Sequence, residues 1–153
     1  MQSSSIKSRP EVTVLCGLPG SGKTAMAEEI VNDNPNIVMV SYSKLTSGWL
    51  DKLTYSWVYD VMEYMVMRAI QKGINVIVDD LNLSQKARDR WATLAKLYGA
   101  DINYIKMPTS LTNCLKHVPS AERDSVRKMY EDYKDFLTAE EEEEEEEEIT
   151  INC

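Results

Sequence analysis

Residues 12–24 read VTVLCGLPGSGKT, and the fold follows from them. The apolar, mostly β-branched run at 12–16 has the length and composition of a buried strand. Gly17, Leu18, Pro19, Gly20, Ser21, Gly22, Lys23 and Thr24 then match G-x-x-x-x-G-K-[ST] at every fixed position. The chemistry explains the composition. Backbone N–H groups have to wrap an anion, so side-chain bulk must be absent where the chain approaches it. The helix that opens with AMAEEIV aims free donors and the positive end of its dipole at the same place. Lys23 is placed to reach the β- and γ-phosphates of a nucleoside triphosphate, and Thr24 to put its hydroxyl on Mg²⁺. A strand before the loop and a helix after it separate this reading from a ligand-free glycine-rich turn.

Outward from the loop the chain alternates. NDNPN at 32–36 ends the first helix, and IVMV at 37–40 is a second strand. Residues 41–49 are polar, a loop or short helix. Residues 50–72 repeat apolar side chains at helical spacing (Leu50, Leu53, Trp57, Val61, Met65 and Ala69, flanked by Val58, Met62 and Ile70) up to Gly73. INVIV at 74–78 is a third strand. Ser84 suits an N-cap and Gly99 a C-cap for a helix ending at Tyr98. DINYIKM at 101–107 is a fourth strand, then come a short helix around Leu111 and Leu115 and a last charged helix over 121–137. The β-α-β-α order predicts an α/β, three-layer P-loop NTPase domain with about four parallel strands flanked by helices. The expected organisation is a flexible leader at 1–10, the domain at 11–138 and a disordered acidic tail at 139–153.

Charge supports that division. The chain has 25 Asp and Glu against 17 Lys and Arg, a net charge of −8. Residues 140–148 are nine consecutive glutamates, and without them the balance is 16 acidic against 17 basic. The body is thus neither an acidic solvating chain nor a strongly basic nucleic-acid module. The tail should oppose nucleic-acid binding, and its deletion should raise oligonucleotide affinity at low salt. Cys16, Cys114 and Cys153 fit neither a zinc pattern nor a disulfide framework, which suggests a reducing cytosol. The start has no apolar signal core. The apolar stretch at 57–70 carries Asp60, Glu63 and Arg68 and is no membrane span.

A phosphate loop needs a carboxylate near its metal, usually at a neighbouring strand end. The third strand ends in Asp79-Asp80-Leu81-Asn82. Side chains alternate along a strand, so one aspartate faces the nucleotide; Asp80 is preferred because Asn82, two residues on, would share its pocket. A solvated turn with a helix cap is the alternative.

GLPGSGKT, VIVDDLNLSQKARDRWATLAKLYGADI and SVRKMYEDYKDFL together resemble the kinase domain of bacteriophage-type 5′-hydroxyl polynucleotide kinase, within the wider group of small P-loop kinases. The resemblance runs over about 12–137. It implies transfer of the ATP γ-phosphate to a hydroxyl with Mg²⁺, in the cytoplasm, with the 5′ end of single-stranded nucleic acid as acceptor and no membrane partner. Short enzymes of phages and prokaryotes are the setting it suggests. Lys23 and Thr24 would carry the phosphate and metal roles, Asp80 and Asn82 fall on the acidic strand-end motif, and Arg88 would make a phosphate or nucleotide contact.

Two departures stand out. The family's base aspartate, in an Asn-Arg-Asp-Asp-like stretch, is replaced here by Val40-Ser41-Tyr42-Ser43-Lys44. Ser43 stands at the base position, and an unactivated hydroxyl is no base at neutral pH; Asp51 is the next carboxylate. The arginine-bearing lid is shorter, leaving Arg123 and Arg127 either as substitutes or as solvated partners of Glu122, Asp124 or Glu131. A degenerate kinase that binds nucleotide but barely turns over, and a kinase of nucleosides or other metabolites, are therefore the alternative functions. His117 reads as a surface or lid residue, Cys16 as a small core residue. The tyrosines and methionines of 55–67 read as core rather than a stacking surface. Lys86, Arg88 and Arg90 form either a nucleic-acid track or an ordinary solvated face.

Overall fold

The computed structural model describes residues 9–47 and 55–139. The readings made for 1–8, for Leu50, Asp51 and Leu53, and for 140–153 with Cys153 lie outside the described residues. Four parallel strands, β1 (Glu11–Cys16), β2 (Ile37–Ser41), β3 (Asn75–Asp79) and β4 (Asp101–Lys106), form a sheet in the order β2-β3-β1-β4. Among the described residues six helices accompany them: α1 (Lys23–Asp33), α2 (Tyr42–Thr46), α3 (Tyr55–Gln71), α4 (Gln85–Tyr98), α5 (Leu111–Lys116) and α6 (Arg123–Thr138), with a 3₁₀ turn at Ser120–Glu122 before the last. No helix among the described residues is long and apolar enough to cross a membrane.

The strands are apolar on both faces because helices cover both. Val12, Val14, Val40, Val76 and Val78 point to α3 and α4, against Val58, Met62, Val66, Trp91 and Ala95. Leu15 and Ile77 point the other way, to Ala27, Met26 and Ile30 of α1. A third cluster joins the phosphate loop to the last two helices through Leu18, Cys114 and Val126.

The caps of α4 fall where the sequence placed them. Ser84 accepts from Ala87 N, and Gly99 takes the left-handed conformation. The buried stripe of α3, however, is rotated by about one residue from the expected one. Val58, Met62, Val66, Ala69 and Ile70 are buried, whereas Trp57 is 50% exposed. The reason is composition. The face through Val58, Met62 and Val66 is wholly apolar, while the face through Trp57 also carries Asp60, Tyr64 and Arg68, which cannot be buried unpaired. Tyr64, expected in the core, is likewise exposed.

Candidate phosphate-loop site

β1 is central, and its last residue launches the loop over the carboxyl edge of the sheet. Gly17 N donates to Leu81 O (3.0 Å) and Met107 N to Cys16 O (2.8 Å), so the loop is tied to the segments following β3 and β4. Gly20 has φ +81°, and a Cβ there would lie 2.4 Å from Cys114 O. Only glycine allows α5 to pack this closely on the loop. Gly22, at φ 91°, is the N-cap of α1 and offers no side-chain cap, so the first-turn N–H groups are free to receive an anion.

Lys23 opens α1 and is buried. Its Nζ donates to Leu18 O (2.9 Å) and to Ser21 Oγ (3.4 Å). Burial lowers its pKa, opposed by the charges of Asp79 and Asp80. Thr24 Oγ1 donates to Asp79 Oδ2 (2.7 Å). Ser41 Oγ donates to the same oxygen (2.7 Å). Ser43 Oγ completes the group at 3.1 Å from Ser41 Oγ and 3.4 Å from Thr24 Oγ1.

Strand register builds this cluster. Leu15, Asp79 and Ser41 are aligned across β1, β3 and β2. Asp79 shares the α1 face of β3 with Ile77, two residues before it, and Thr24 sits on the first turn of α1. The expectation for Asp80 is thus corrected in its geometry: Asp79 is the carboxylate bonded to Thr24. Asp80 turns toward α3, where it accepts a hydrogen bond from Tyr59. Burial raises the Asp80 pKa, with the Tyr59 hydrogen bond pulling the other way. Burial and the charge of Asp80 raise that of Tyr59. The Tyr59 ring is covered by the Arg90 guanidinium at 4.2 Å, and Arg90 also pairs with Glu63.

Asn82 and Arg88 are both held by hydrogen bonds within the scaffold. Asn82 is 1% exposed with φ 49°. Its Nδ2 donates to Leu15 O (2.8 Å), and its Oδ1 accepts from Trp91 Nε1 (2.9 Å). Arg88 donates to Leu83 O (2.6 Å) and Asn82 O (3.3 Å) and stacks 3.6 Å over the Phe136 ring. Of the 86–90 cluster, Arg88 and Arg90 are thus held by contacts within the fold. Arg123 donates Nε to Leu115 O (3.2 Å), and Arg127 pairs with Asp124 (2.9 Å), the solvated arrangement weighed for it.

An open cavity of about 710 Å³ lies over the loop, bounded by residues 20–25 and, opposite them, by Thr109, Asn113 and His117. Thr109 Oγ1 donates to Ser21 O (2.6 Å), and His117 Nδ1 lies 2.7 Å from Asn113 O. These three residues were not singled out as site residues from the sequence. The signal for them is tertiary, the seating of α5 on Gly20. A second cavity of about 240 Å³ lies behind the loop, between Leu18, Met107, Pro108, Leu111, Tyr130 and Leu137.

The chain matches a family model described as an AAA domain over residues 12–132. Among solved structures, it is similar to a chain of the Pnkp1/Rnl/Hen1 RNA repair complex at TM-score 0.69 and 19% identity, over 87% of this chain and 48% of that one. It therefore spans about half the length of that chain. It is also similar to the APS kinase CysC of Mycobacterium tuberculosis in complex with AMPPNP and APS (TM-score 0.64, 17% identity, 78% and 75% covered). A gluconokinase from Sinorhizobium meliloti aligns at TM-score 0.51 and 13% identity, over 79% and 75%. These likenesses establish the small P-loop kinase fold and leave the phosphate acceptor open.

Proposed function

The chain belongs to the AAA domain family, and from its loop geometry we propose that it is an ATP- and Mg²⁺-dependent phosphotransferase. The observation that carries the proposal is the bond between Thr24 Oγ1 and Asp79 Oδ2, beside a buried lysine on a phosphate loop. In this reading the loop N–H groups of 17–24 and the first turn of α1 bind the β- and γ-phosphates. Lys23 leaves its carbonyl partner Leu18 to neutralise the transferring group. Asp79, in place of Asp80, holds the metal together with Thr24. Their hydroxyl and carboxylate oxygens are the hard donors that Mg²⁺ takes. The bound ion supplies charge neutralisation at the phosphate oxygens. The cavity between Leu18, Met107, Leu111 and Tyr130, whose walls also carry Thr109, Ser110 and Thr138, offers both apolar contact and hydrogen-bonding groups to a nucleobase. Asn113 and His117 face the phosphates across the cavity.

The acceptor we favour is the 5′-hydroxyl of single-stranded nucleic acid, on the strength of the sequence resemblance and of the likeness to the Pnkp1-containing chain. Transfer of label from γ-labelled ATP to a 5′-hydroxyl oligonucleotide tests it, with Lys23→Ala as the control that abolishes transfer. Tight ATP binding with no labelled oligonucleotide rejects this acceptor; label on a small alcohol or nucleoside then makes the protein a metabolite kinase. One observation favours a second reading, a nucleotide-binding protein of very slow turnover: Ser43, not a carboxylate, stands beside Thr24. General-base assistance is worth about 10²–10⁴-fold, so its loss leaves binding intact and turnover small.

A further inference from the structure

α5 is seated closely on the phosphate loop. A Cβ on Gly20 would lie 2.4 Å from Cys114 O and 3.1 Å from Val118 Cγ1, so backbone packs on backbone there. Just before the helix, Thr109 Oγ1 donates to Ser21 O. His117 is the C-cap of α5, and its N–H donates to Cys114 O (3.0 Å), the same carbonyl that rests on Gly20. The ring is held as well. Nδ1 lies 2.7 Å from Asn113 O. A carbonyl oxygen only accepts, so Nδ1 carries the proton. Nε2 is then a bare lone pair in the neutral ring and a charged donor in the imidazolium. An ionised phosphate oxygen accepts hydrogen bonds and donates none, so it is repelled by the first form and bound by the second. His117 bounds the open cavity from the side opposite the loop, and the other titratable residue bounding that cavity is Lys23. Lys116, its neighbour in the last turn of α5, adds a further positive charge at this helix end. The two arginines weighed for a phosphate contact are engaged otherwise: Arg123 Nε donates to Leu115 O, and Arg127 pairs with Asp124.

We propose that His117 is the second phosphate-binding cation of the site, beside Lys23, and that it binds only when protonated, so that nucleotide binding takes up a proton at this residue. The proposal rests on the reading of the loop as an ATP site. An imidazole changes charge between about pH 5 and 8, so the site holds the triphosphate more tightly at the acid end of that range. By reciprocity the bound phosphates hold the proton on the ring. One partly screened, charge-assisted hydrogen bond makes this roughly a three- to tenfold difference in affinity.

Calorimetric titration with Mg·AMPPNP tests this on the full-length chain and on its His117→Gln and His117→Arg variants, at about pH 6 and about pH 8.5. The analogue's own titration is common to all three chains and cancels in the comparison. The natural chain should gain roughly three- to tenfold in affinity from pH 8.5 to pH 6 relative to His117→Gln. Near pH 7 its binding heat should depend on the ionisation enthalpy of the buffer more than that of His117→Gln does, which reports the extra proton taken up. His117→Arg, charged at both pH values, should bind at pH 8.5 more tightly than His117→Gln and show no extra uptake. The same pH ratio and proton uptake in the natural chain and His117→Gln, or no gain by His117→Arg over His117→Gln at pH 8.5, each overturn the proposal. Absence of binding by all three chains at both pH values overturns instead the nucleotide reading beneath it.

Discussion

Asp79 and Asp80 are the same side chain one residue apart, and their surroundings give them different work. Asp79 receives the hydroxyls of Thr24 and Ser41, whereas Asp80 receives Tyr59 on the opposite face of the strand. Asp79→Asn should therefore cut Mg²⁺-dependent turnover by roughly 100-fold, the order seen when a preorganised charge is lost, and raise the Mg²⁺ concentration for half-maximal rate. Asp80→Asn keeps an oxygen for Tyr59 and should cost less than about tenfold. A Mg²⁺ titration of ATP turnover on both variants checks this; equal losses would put the metal role back on both residues. Cys16 makes a different claim at the same scale. Burial pushes its thiol from 9.0 up to about 11. The folded protein then holds a proton that the unfolded chain gives up, so stability present below pH 9 is lost as pH rises toward 11, by about 1–3 kcal/mol. Urea titrations from pH 8 to pH 11 should show a steeper decline for the natural chain than for Cys16→Ala.

Between elements, the junction after β3 organises both the site and the core behind it. Asn82 holds a left-handed φ while bonding Leu15 O of β1 and Trp91 Nε1 of α4. It thus locks the turn that presents Asp79. Asn82→Gly keeps the backbone conformation but orphans a buried carbonyl and the indole N–H, so it should cost about 2–4 kcal/mol in urea unfolding. A loss below about 0.5 kcal/mol would show that the turn holds itself. This junction also marks what could be read in the sequence and what could not. The loop, the alternation of strands and helices, and the caps Ser84 and Gly99 depend on local composition, and they stand at their expected positions. The choice between Asp79 and Asp80 depends on which face of β3 meets α1. VIV at 76–78 is apolar on both faces, so periodicity leaves the phase open. Leu15 and Ile77 packing on Ala27 decides it. The rotation of the α3 stripe has the same origin, since two neighbouring faces both carry apolar residues. Asn82 and Arg88 have ligand-like side chains that the core claimed first, through Trp91 and Phe136. His117 comes to the loop only because α5 is seated on Gly20.

For the molecule as a whole, the sheet is a frame whose carboxyl edge gathers the loop, Asp79, Ser41 and the α5 and α6 connections in one place. Binding at that edge joins β1, β3, α1 and α5, so nucleotide should stabilise the entire fold by mass action. ATP with Mg²⁺ at 100 times its Kd adds about 2.7 kcal/mol, which for a chain of this size raises Tm by roughly 5–10 °C. Lys23→Ala should erase that shift while leaving the unliganded Tm within about 3 °C, because the lysine's present partners are Leu18 O and Ser21 Oγ of its own loop. A thermal scan with and without Mg·ATP, run beside the phosphate-transfer assay, separates binding from chemistry. A shift with transfer identifies a working kinase. A shift of the same size without transfer to any acceptor identifies the nucleotide-binding protein that Ser43 favours. No shift at saturating ATP removes both, since each requires the loop to hold the triphosphate.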